Sequence, residues 1–346
     1  MTVEHSGGPA LHPALRPQIC RQDLLGSNGK PYHAADELIA AANVALHLQR
    51  PLLLTGEPGC GKTEFAYACA HALGRALKYI RDKRVPLVCS IGSSTRARDL
   101  LYAHDAVRRF SDAQSGGEDG YHRAQDPRNY ITLQPLGFAL ASRLRRVVLL
   151  DEIDKAPRDL PNDLLQELDK GHFGIPEIVD NEASGHVIAG EHIVLRREMR
   201  RPTQTQSPAH VLPLPLIVIT SNAEAQLPDA FLRRCIFWHI KFPEVQLPDI
   251  IEDHFPDLDA RFRARALAIF RALRELRGLA KTPGTAELLD WMQAISRVLD
   301  PRETQGQLER FSALLDQGVT RLPWPSLPGL SCLIKLRSDL ALIEST

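Results

Sequence analysis

The segment GEPGCGKT, residues 56–63, has the residue types and spacing of a phosphate-binding loop, GxxxxGK followed by Ser or Thr. Glycines allow the backbone to wrap closely around phosphates and to direct its N–H groups at them. We expect Lys62 to reach the β- and γ-phosphates of a nucleoside triphosphate and the Thr63 hydroxyl to bind Mg²⁺. A chance glycine-rich turn is a poor alternative, because the pattern arises by accident in about one per cent of chains of this size. The predicted nucleotide-binding residues here are Gly56, Glu57, Pro58, Gly59, Cys60, Gly61, Lys62, Thr63 and Glu64.

Two adjacent carboxylates, Asp151 and Glu152, follow the apolar run VVLL in the segment RRVVLLDEID. Ligands of open α/β sheets bind at the carboxyl ends of the strands. We therefore expect Asp151 to approach the Mg²⁺ held by Thr63, and Glu152 to polarise a water toward the γ-phosphate. Acidic residues also follow strands as helix caps, and that is the role we expect for Asp154.

Polar residues after a further apolar run form a third group of candidates. In PLIVITSN, the amide of Asn222 can orient the attacking water or contact the γ-phosphate, although Asn is also common in turns. In LPDAFLRRC, Arg233 and Arg234 follow a short helix. A guanidinium near the γ-phosphate can accelerate hydrolysis by about 10³- to 10⁵-fold. The alternative for this pair is a solvated position or a local ion pair.

Four short apolar runs would position these groups, at residues 51–55, 87–91, 147–150 and 216–220. Such runs are typical of parallel strands buried on both faces. Helical patterns lie between them, so we predict an α/β fold, a P-loop αβα sandwich with a parallel sheet. A small α-helical lid domain is expected to follow it, because residues 259–278, DARFRARALAIFRALRELRG, are strongly helical.

The predicted organisation is a mobile N-terminal arm at 1–30, a nucleotide-binding core at 31–242 and a helical lid at 243–346. Two polar stretches interrupt the core, and we interpret residues 111–130 as a loop. The stretch 175–212 is too long for a loop without structure of its own. We therefore predict a β-hairpin within it, around HVIAGEHIVLR.

Composition excludes several classes of protein. The 346 residues carry 42 Lys+Arg and 42 Asp+Glu, so net charge gives no general attraction to nucleic acid or acidic membranes. No apolar run approaches the ~20 residues needed to span a bilayer, and no signal-peptide pattern is present at the start, so we expect a cytoplasmic protein without a membrane partner. The six cysteines form no CxxC pair and are expected to be reduced thiols. The histidines show no HExxH or Cys/His cluster typical of a metalloenzyme.

The ordered set GEPGCGKT, VVLLDEID, ITSN and DAFLRRC resembles the AAA+ ATPases, and more closely their MoxR-type branch. The closer match is carried by YHAADELIAAANVALHLQRPLLLTGEPGCGKT, TRARDLLYAHDAVRRFSDAQ and KTPGTAELLDW, and the resemblance covers roughly residues 31–300. A GTPase is a weaker reading, because no guanine-reading NKxD-type segment is present.

The resemblance implies a set of roles. ATP and Mg²⁺ would be the cofactors, with Lys62 and Thr63 in Walker A, Asp151 and Glu152 in Walker B, and Asn222 as sensor 1. Arg233 and Arg234 fall where the family places the arginine finger, which acts on the neighbouring subunit's ATP in a hexameric ring. Tyr32 and His33 lie where the family lines the adenine pocket, and the hairpin at 175–212 would face the central pore.

One departure concerns the arginine that many family members carry at the start of a lid helix as sensor 2. Thr285 stands near that place in KTPGTAELLDW, and Lys281 either supplies the positive charge or is a solvated loop lysine.

Two functions remain open at this stage. The favoured one is an ATPase that remodels or assembles a partner protein. The alternative is a nucleic-acid machine of the McrB-like restriction type, or a nucleotide-gated scaffold. The basic segment IVLRREMRR bears on this choice, because Arg196, Arg197, Arg200 and Arg201 could track phosphates in a pore.

Overall fold

The computed structural model describes residues 17–78, 84–142, 145–171, 173–178, 188–189, 192–193, 214–222, 227–319 and 322–345. The predicted N-terminal arm is therefore described only from residue 17. Most of the stretch 175–212, with its four arginines, lies outside the described residues. The chain divides into two compact units. The first, here the sheet unit, takes in the described residues of Met1–Ser27, Ala34–Leu54 and Phe65–Trp238; the second, the helical unit, takes in those of Asn28–His33, Thr55–Glu64 and His239–Thr346.

The described residues contain nine strands. In chain order they are β1 (Leu52–Thr55), β2 (Leu87–Ser90), β3 (Tyr102–His104), β4 (Ile131–Leu133), β5 (Val147–Asp151), β6 (Ile188–Ala189), β7 (His192–Ile193), β8 (Leu216–Ser221) and β9 (Ile236–His239). Five of them form a parallel sheet in the order β2-β5-β8-β1-β9. The four apolar runs of the sequence supply β1, β2, β5 and β8, which confirms the predicted fold class.

The described helices, again in chain order, are α1 (Asp36–Leu48), α2 (Lys62–Ala76), α3 (Ala97–Leu101), α4 (Ala106–Ser115), α5 (Gly117–Gln125), α6 (Pro135–Ala141), α7 (Leu160–Asp163), α8 (Leu165–Lys170), α9 (Asp229–Leu232), α10 (Leu247–His254), α11 (Ala260–Arg274), α12 (Thr285–Gln293), α13 (Pro301–Asp316), α14 (Leu330–Leu333) and α15 (Arg337–Ser345). Among these described segments, none is both long and apolar enough to cross a membrane.

The central strands of the sheet are held by burial on both faces. β1 and β8 are buried at every position, and β5 at every position before its last residue, Asp151. Burial of this kind removes apolar surface from water, at about 25 cal/mol per Å², and fixes the strands in the core. The polar residues at the carboxyl ends of β5 and β8 are thereby anchored to rigid elements.

Residues 111–130 are helical, and their interpretation as a loop is wrong. α4 and α5 lie between the short antiparallel strands β3 and β4. Asp105 caps α4 by accepting a hydrogen bond from the backbone N–H of Arg108, at 2.9 Å. The Tyr130 hydroxyl donates to Asp112, at 2.7 Å. These polar contacts stabilise the two helices.

The helical unit has its own core, formed by α10 to α15. Its largest buried side chains include Trp291, Trp324, Phe270 and Phe311, each no more than 1% exposed. The Trp291 indole N–H donates to the Pro328 carbonyl, at 2.7 Å, so its polar atom is satisfied inside the core. α11, which carries Arg274 at its end, is capped by Asp259.

Within the stretch 175–212, β6 and β7 pair in antiparallel register, with Ile188 opposite Ile193 and Ala189 opposite His192. The predicted hairpin around HVIAGEHIVLR falls on these strands. Its remaining residues lie outside the described part of the chain.

Candidate nucleotide site

The phosphate loop lies between the end of β1 and the start of α2. Its backbone requires glycine: φ is +147° at Gly56, +78° at Gly59 and +95° at Gly61. A Cβ on Gly56 would lie 2.4 Å from the carbonyl oxygen of Ile240. These positive φ values bend the ribbon so that successive N–H groups can face one anion. The N-terminus of α2 adds a partial positive charge at the same place.

Lys62 is the buried cation of this loop, only 7% exposed. Its Nζ donates to the carbonyl oxygens of Gly56, at 2.8 Å, and of Glu57, at 2.9 Å. The Cys60 sulfur lies 4.0 Å from the same ammonium. Burial raises the pKa of the Cys60 thiol, and the nearby Lys62 charge opposes that shift. The loop therefore holds a fixed ammonium charge among its own carbonyls, beside Thr63 and Glu64 in the first turn of α2.

Tyr32 contacts the phosphate loop, whereas the described contact of His33 is elsewhere. The Tyr32 hydroxyl donates to the Gly61 carbonyl at 3.2 Å, and its ring would lie within 3.3 Å of a Cβ on Gly61. His33 Nε2 lies 2.6 Å from the Asp253 carboxylate on α10. Burial lowers the pKa of the adjacent His254, and the Lys30 charge lowers it further.

Arg274, at the end of α11, contacts the phosphate loop through Glu57. Its guanidinium lies 3.2 Å from Glu57 Oε2 and 3.5 Å from the centroid of the Phe242 ring, and it donates to the Pro283 carbonyl. The Arg274 side chain is 13% exposed, against 59% for Glu57. Motif matching did not point to this residue, because it lies 217 positions from its loop partner.

The start of α12 also lies against the loop. The Thr285 N–H donates to the Gly59 carbonyl, at 3.3 Å. Glu287 accepts from the Gly284 N–H, at 3.1 Å, and forms an ion pair with Lys281, at 3.3 Å. The Lys281 side chain is 41% exposed and paired with a carboxylate, so it is a solvent-accessible loop lysine with a local ion pair.

In the sheet unit, Thr220 connects the two Walker B candidates. Its hydroxyl donates to Asp151 Oδ1, at 2.7 Å, and accepts from the backbone N–H of Glu152, at 2.8 Å. Glu152 has a φ of +58°, in the left-handed region. Its carboxylate forms a hydrogen-bonded ion pair with Lys155, which raises the pKa of that lysine. Sequence reasoning missed Thr220; the one signal in the sequence was a hydroxyl residue directly after the apolar run LIVI, which does not indicate its partner.

Asp154 links the segments that follow β5 and β8. Its carboxylate accepts from the backbone N–H of Asn222, at 3.0 Å, while the Asn222 side chain is exposed. The N-cap of α7 is Asp159, so the expectation that Asp154 is a helix cap there is wrong. Asp154 and Asn222 are 68 positions apart, so no local sequence pattern indicated this contact.

Arg233 and Arg234 follow α9 in different environments. Arg234 Nε lies 2.5 Å from the Asp169 carboxylate, and its Nη1 donates to the Ala230 carbonyl, at 3.0 Å. Arg233 is exposed and makes no ion pair within the described part of the chain. The two arginines therefore differ in exposure and in their contacts.

The match to one family model agrees with this geometry. Residues 51–186 match the family model described as AAA domain (dynein-related subfamily). No curated protein matches the chain. Among solved structures, the chain is similar to PCH-2 of C. elegans, with 16% identity, 94% of this chain and 70% of that chain covered, and a TM-score of 0.33.

The matched segment, the phosphate loop and the parallel sheet together indicate a P-loop nucleotide-binding fold similar to that of the AAA domain family. The match begins just before β1 and extends past Asp151 and Glu152, which lie at the end of β5.

Proposed function

We propose that this protein is a Mg²⁺-dependent ATPase of the ring-forming, MoxR-type AAA+ branch, and that ATP hydrolysis drives remodelling or assembly of a partner protein. The observation that carries the proposal is the phosphate loop, with three glycines at positive φ and the buried Lys62 ammonium beside the N-terminus of α2. A fixed cation and converging N–H groups are what a triphosphate requires.

The chemistry is in-line attack of water on the γ-phosphorus of ATP. The bond from that phosphorus to the bridging oxygen breaks, and ADP leaves. Glu152 accepts the water proton, while Asn222 orients the water. Thr63 and Asp151 are the proposed protein ligands of Mg²⁺, which neutralises developing phosphate charge. Support comes from the strand order, in which β8 lies between β1 and β5, because ligands of such sheets bind at the carboxyl ends of the strands.

Arg233 is the better candidate for an arginine finger. Arg234 is held by Asp169 and by a backbone carbonyl, whereas Arg233 is exposed at the end of α9. An exposed guanidinium can reach the triphosphate of a second protomer. The proposal therefore includes assembly into a hexameric ring. Tyr32 and His33 remain the proposed adenine-pocket residues, and the hairpin of β6 and β7 the proposed pore element.

Two substitutions test the ATPase directly. Lys62→Ala removes the buried cation and should abolish ATP binding, measured with a fluorescent ATP analogue. Glu152→Gln keeps the shape of the side chain but removes the base, so it should bind ATP and lower the phosphate-release rate by at least about 10²-fold. Arg271→Ala, on the exposed face of α11, serves as a matched surface control. Wild-type protein that releases no phosphate with Mg²⁺ and ATP would refute the proposed activity.

The Glu152→Gln variant also identifies the partner, since it should retain ATP and hold its client. A client recovered with ATP, but not with ADP, would support remodelling of a protein. Salt-dependent DNA binding in the presence of an ATP analogue would instead favour the nucleic-acid machine, and a lack of DNA binding at low salt would exclude it.

A further inference from the structure

The register of the central strands places Thr220 beside Asp151. β5 and β8 run parallel, with Leu150 opposite Ile219. Asp151 follows Leu150 in β5, and Thr220 follows Ile219 in β8. Neighbouring side chains at matched positions of a sheet lie on the same face. Thr220 is 1% exposed, and its hydroxyl lies 2.7 Å from Asp151 Oδ1. The contact is thus set by two rigid strands and not by a loop.

The same hydroxyl fixes the backbone at Glu152. A hydroxyl has one proton, which here is donated to the Asp151 carboxylate, so its lone pairs accept the Glu152 N–H at 2.8 Å. Glu152 occupies the left-handed region, with φ +58°, which non-glycine residues adopt only when the surroundings enforce it. The described contacts at Glu152 are the Thr220 bond to its N–H, the Lys155 N–H bond to its carbonyl at 2.9 Å, and the Lys155 ammonium on its carboxylate.

We propose that Thr220 is a positioning residue for hydrolysis, whose hydroxyl couples the metal-binding carboxylate of Asp151 to the backbone of the base Glu152. This inference rests on the proposed ATPase function. By donating a hydrogen bond to Asp151 Oδ1, the Thr220 hydroxyl occupies one carboxylate oxygen and fixes the rotamer in which the carboxylate would bind Mg²⁺. Through the accepted bond, it sets the direction in which the Glu152 side chain leaves the strand.

The test compares Thr220→Val with Thr220→Ser. Valine keeps the branched shape but removes both hydrogen bonds, whereas serine keeps the hydroxyl and loses a methyl group. We expect Thr220→Val to lower kcat about 30-fold, since one lost bond involves a charged group. The affinity for nucleotide should change less than about 3-fold, because the phosphate loop is untouched. The Mg²⁺ concentration for half-maximal turnover should rise, and Thr220→Ser should restore most of the rate.

Two further measurements keep the test decisive. Thr304→Val removes the hydroxyl of another buried threonine, 2% exposed on α13, and controls for a general loss of stability. Amide hydrogen exchange at Glu152, measured by NMR or mass spectrometry on folded protein, should be faster in Thr220→Val than in wild type. This readout does not depend on turnover, so an inactive wild type would refute the ATPase alone.

Three results would overturn the role of Thr220. The first is turnover in Thr220→Val equal to that of wild type. The second is an equal defect in Thr220→Ser, which would assign the effect to packing of the methyl group. The third is unchanged exchange at the Glu152 amide in Thr220→Val.

Discussion

Arg233 and Arg234 show how two identical neighbours in sequence differ once their partners are known. Arg234 is held by Asp169 on α8 and by the Ala230 carbonyl, so its guanidinium is used within its own chain. Arg233 is exposed. A guanidinium that stabilises transition-state charge on another protomer must be accessible, which favours Arg233.

We therefore expect Arg233→Ala to lower kcat by at least about 10²-fold while leaving ATP affinity nearly unchanged. Arg234→Ala should lose a half-exposed ion pair, worth up to about 1 kcal/mol of stability, and retain most of the turnover. Steady-state phosphate release and thermal unfolding of each variant measure the two effects. Arg234→Ala serves as the matched control, since it is the adjacent residue of the same type.

If Arg233 acts on the ATP of a neighbouring protomer, a mixture of two inactive variants should regain turnover. Lys62→Ala cannot bind ATP, but it carries an intact Arg233, so mixing it with Arg233→Ala should recover part of the turnover. A complete absence of recovery at every mixing ratio would contradict a finger that acts on a neighbouring protomer.

At this scale the sequence predicted the residues that belong to contiguous motifs. The glycines and Lys62 were recognisable because the phosphate loop is formed within eight consecutive residues. Thr220 was not recognisable as a partner of Asp151, because the two are 69 positions apart and meet only through strand pairing. Contacts of that kind depend on register, which a single sequence does not specify.

At the scale of elements, α11 is tied to the phosphate loop by one arginine. Arg274 stacks on Phe242, donates to the Pro283 carbonyl and pairs with the carboxylate of Glu57. The Glu57 carbonyl in turn accepts from the Lys62 ammonium, at 2.9 Å. The helical unit thus contributes to holding the lysine of its own phosphate loop.

Arg274→Ala should therefore weaken ATP binding about 3- to 10-fold, because it removes a largely buried cation–π and ion-pair contact. Fluorescent-nucleotide titration gives the ATP affinity of Arg274→Ala, Glu57→Gln and the double variant. Comparing the three affinities measures the coupling between Arg274 and Glu57. Arg271→Ala, which loses a pair with Glu244 on the same helix, should bind ATP as wild type does.

Strictly additive effects of Arg274→Ala and Glu57→Gln would show that the two side chains do not act together. A weakened affinity in Arg271→Ala equal to that in Arg274→Ala would point to a general effect on α11.

Elements were predictable where burial imposes a pattern. The apolar runs at 51–55, 147–150 and 216–220 gave central strands, because strands buried on both faces are apolar at most positions. α5 and the second half of α4 were missed, because residues 111–120, SDAQSGGEDG, are polar and rich in glycine. In the structure α4 has no buried residue and is held by a cap and by polar contacts.

At the scale of the whole molecule, net charge is zero, with 42 basic and 42 acidic residues. Low net charge removes the long-range repulsion that keeps like subunits apart. In the proposed ring, assembly would then be governed by the interface, where one protomer's phosphate loop and another's Arg233 are proposed to share a triphosphate.

We expect Glu152→Gln to assemble into a ring of about six protomers with Mg²⁺ and ATP, because nucleotide that binds the assembled form more tightly than the monomer stabilises the assembly by mass action. Light scattering coupled to size-exclusion chromatography, or sedimentation velocity, measures the mass with ATP, with ADP and without nucleotide. Lys62→Ala should remain at the mass of the nucleotide-free protein under all three conditions, since it lacks the cation that holds the triphosphate. Arg233→Ala should assemble less completely at the same ATP concentration, because the interface loses its link to the neighbouring phosphate. A Glu152→Gln protein that stays monomeric while fluorescence shows bound ATP would rule out assembly driven by nucleotide.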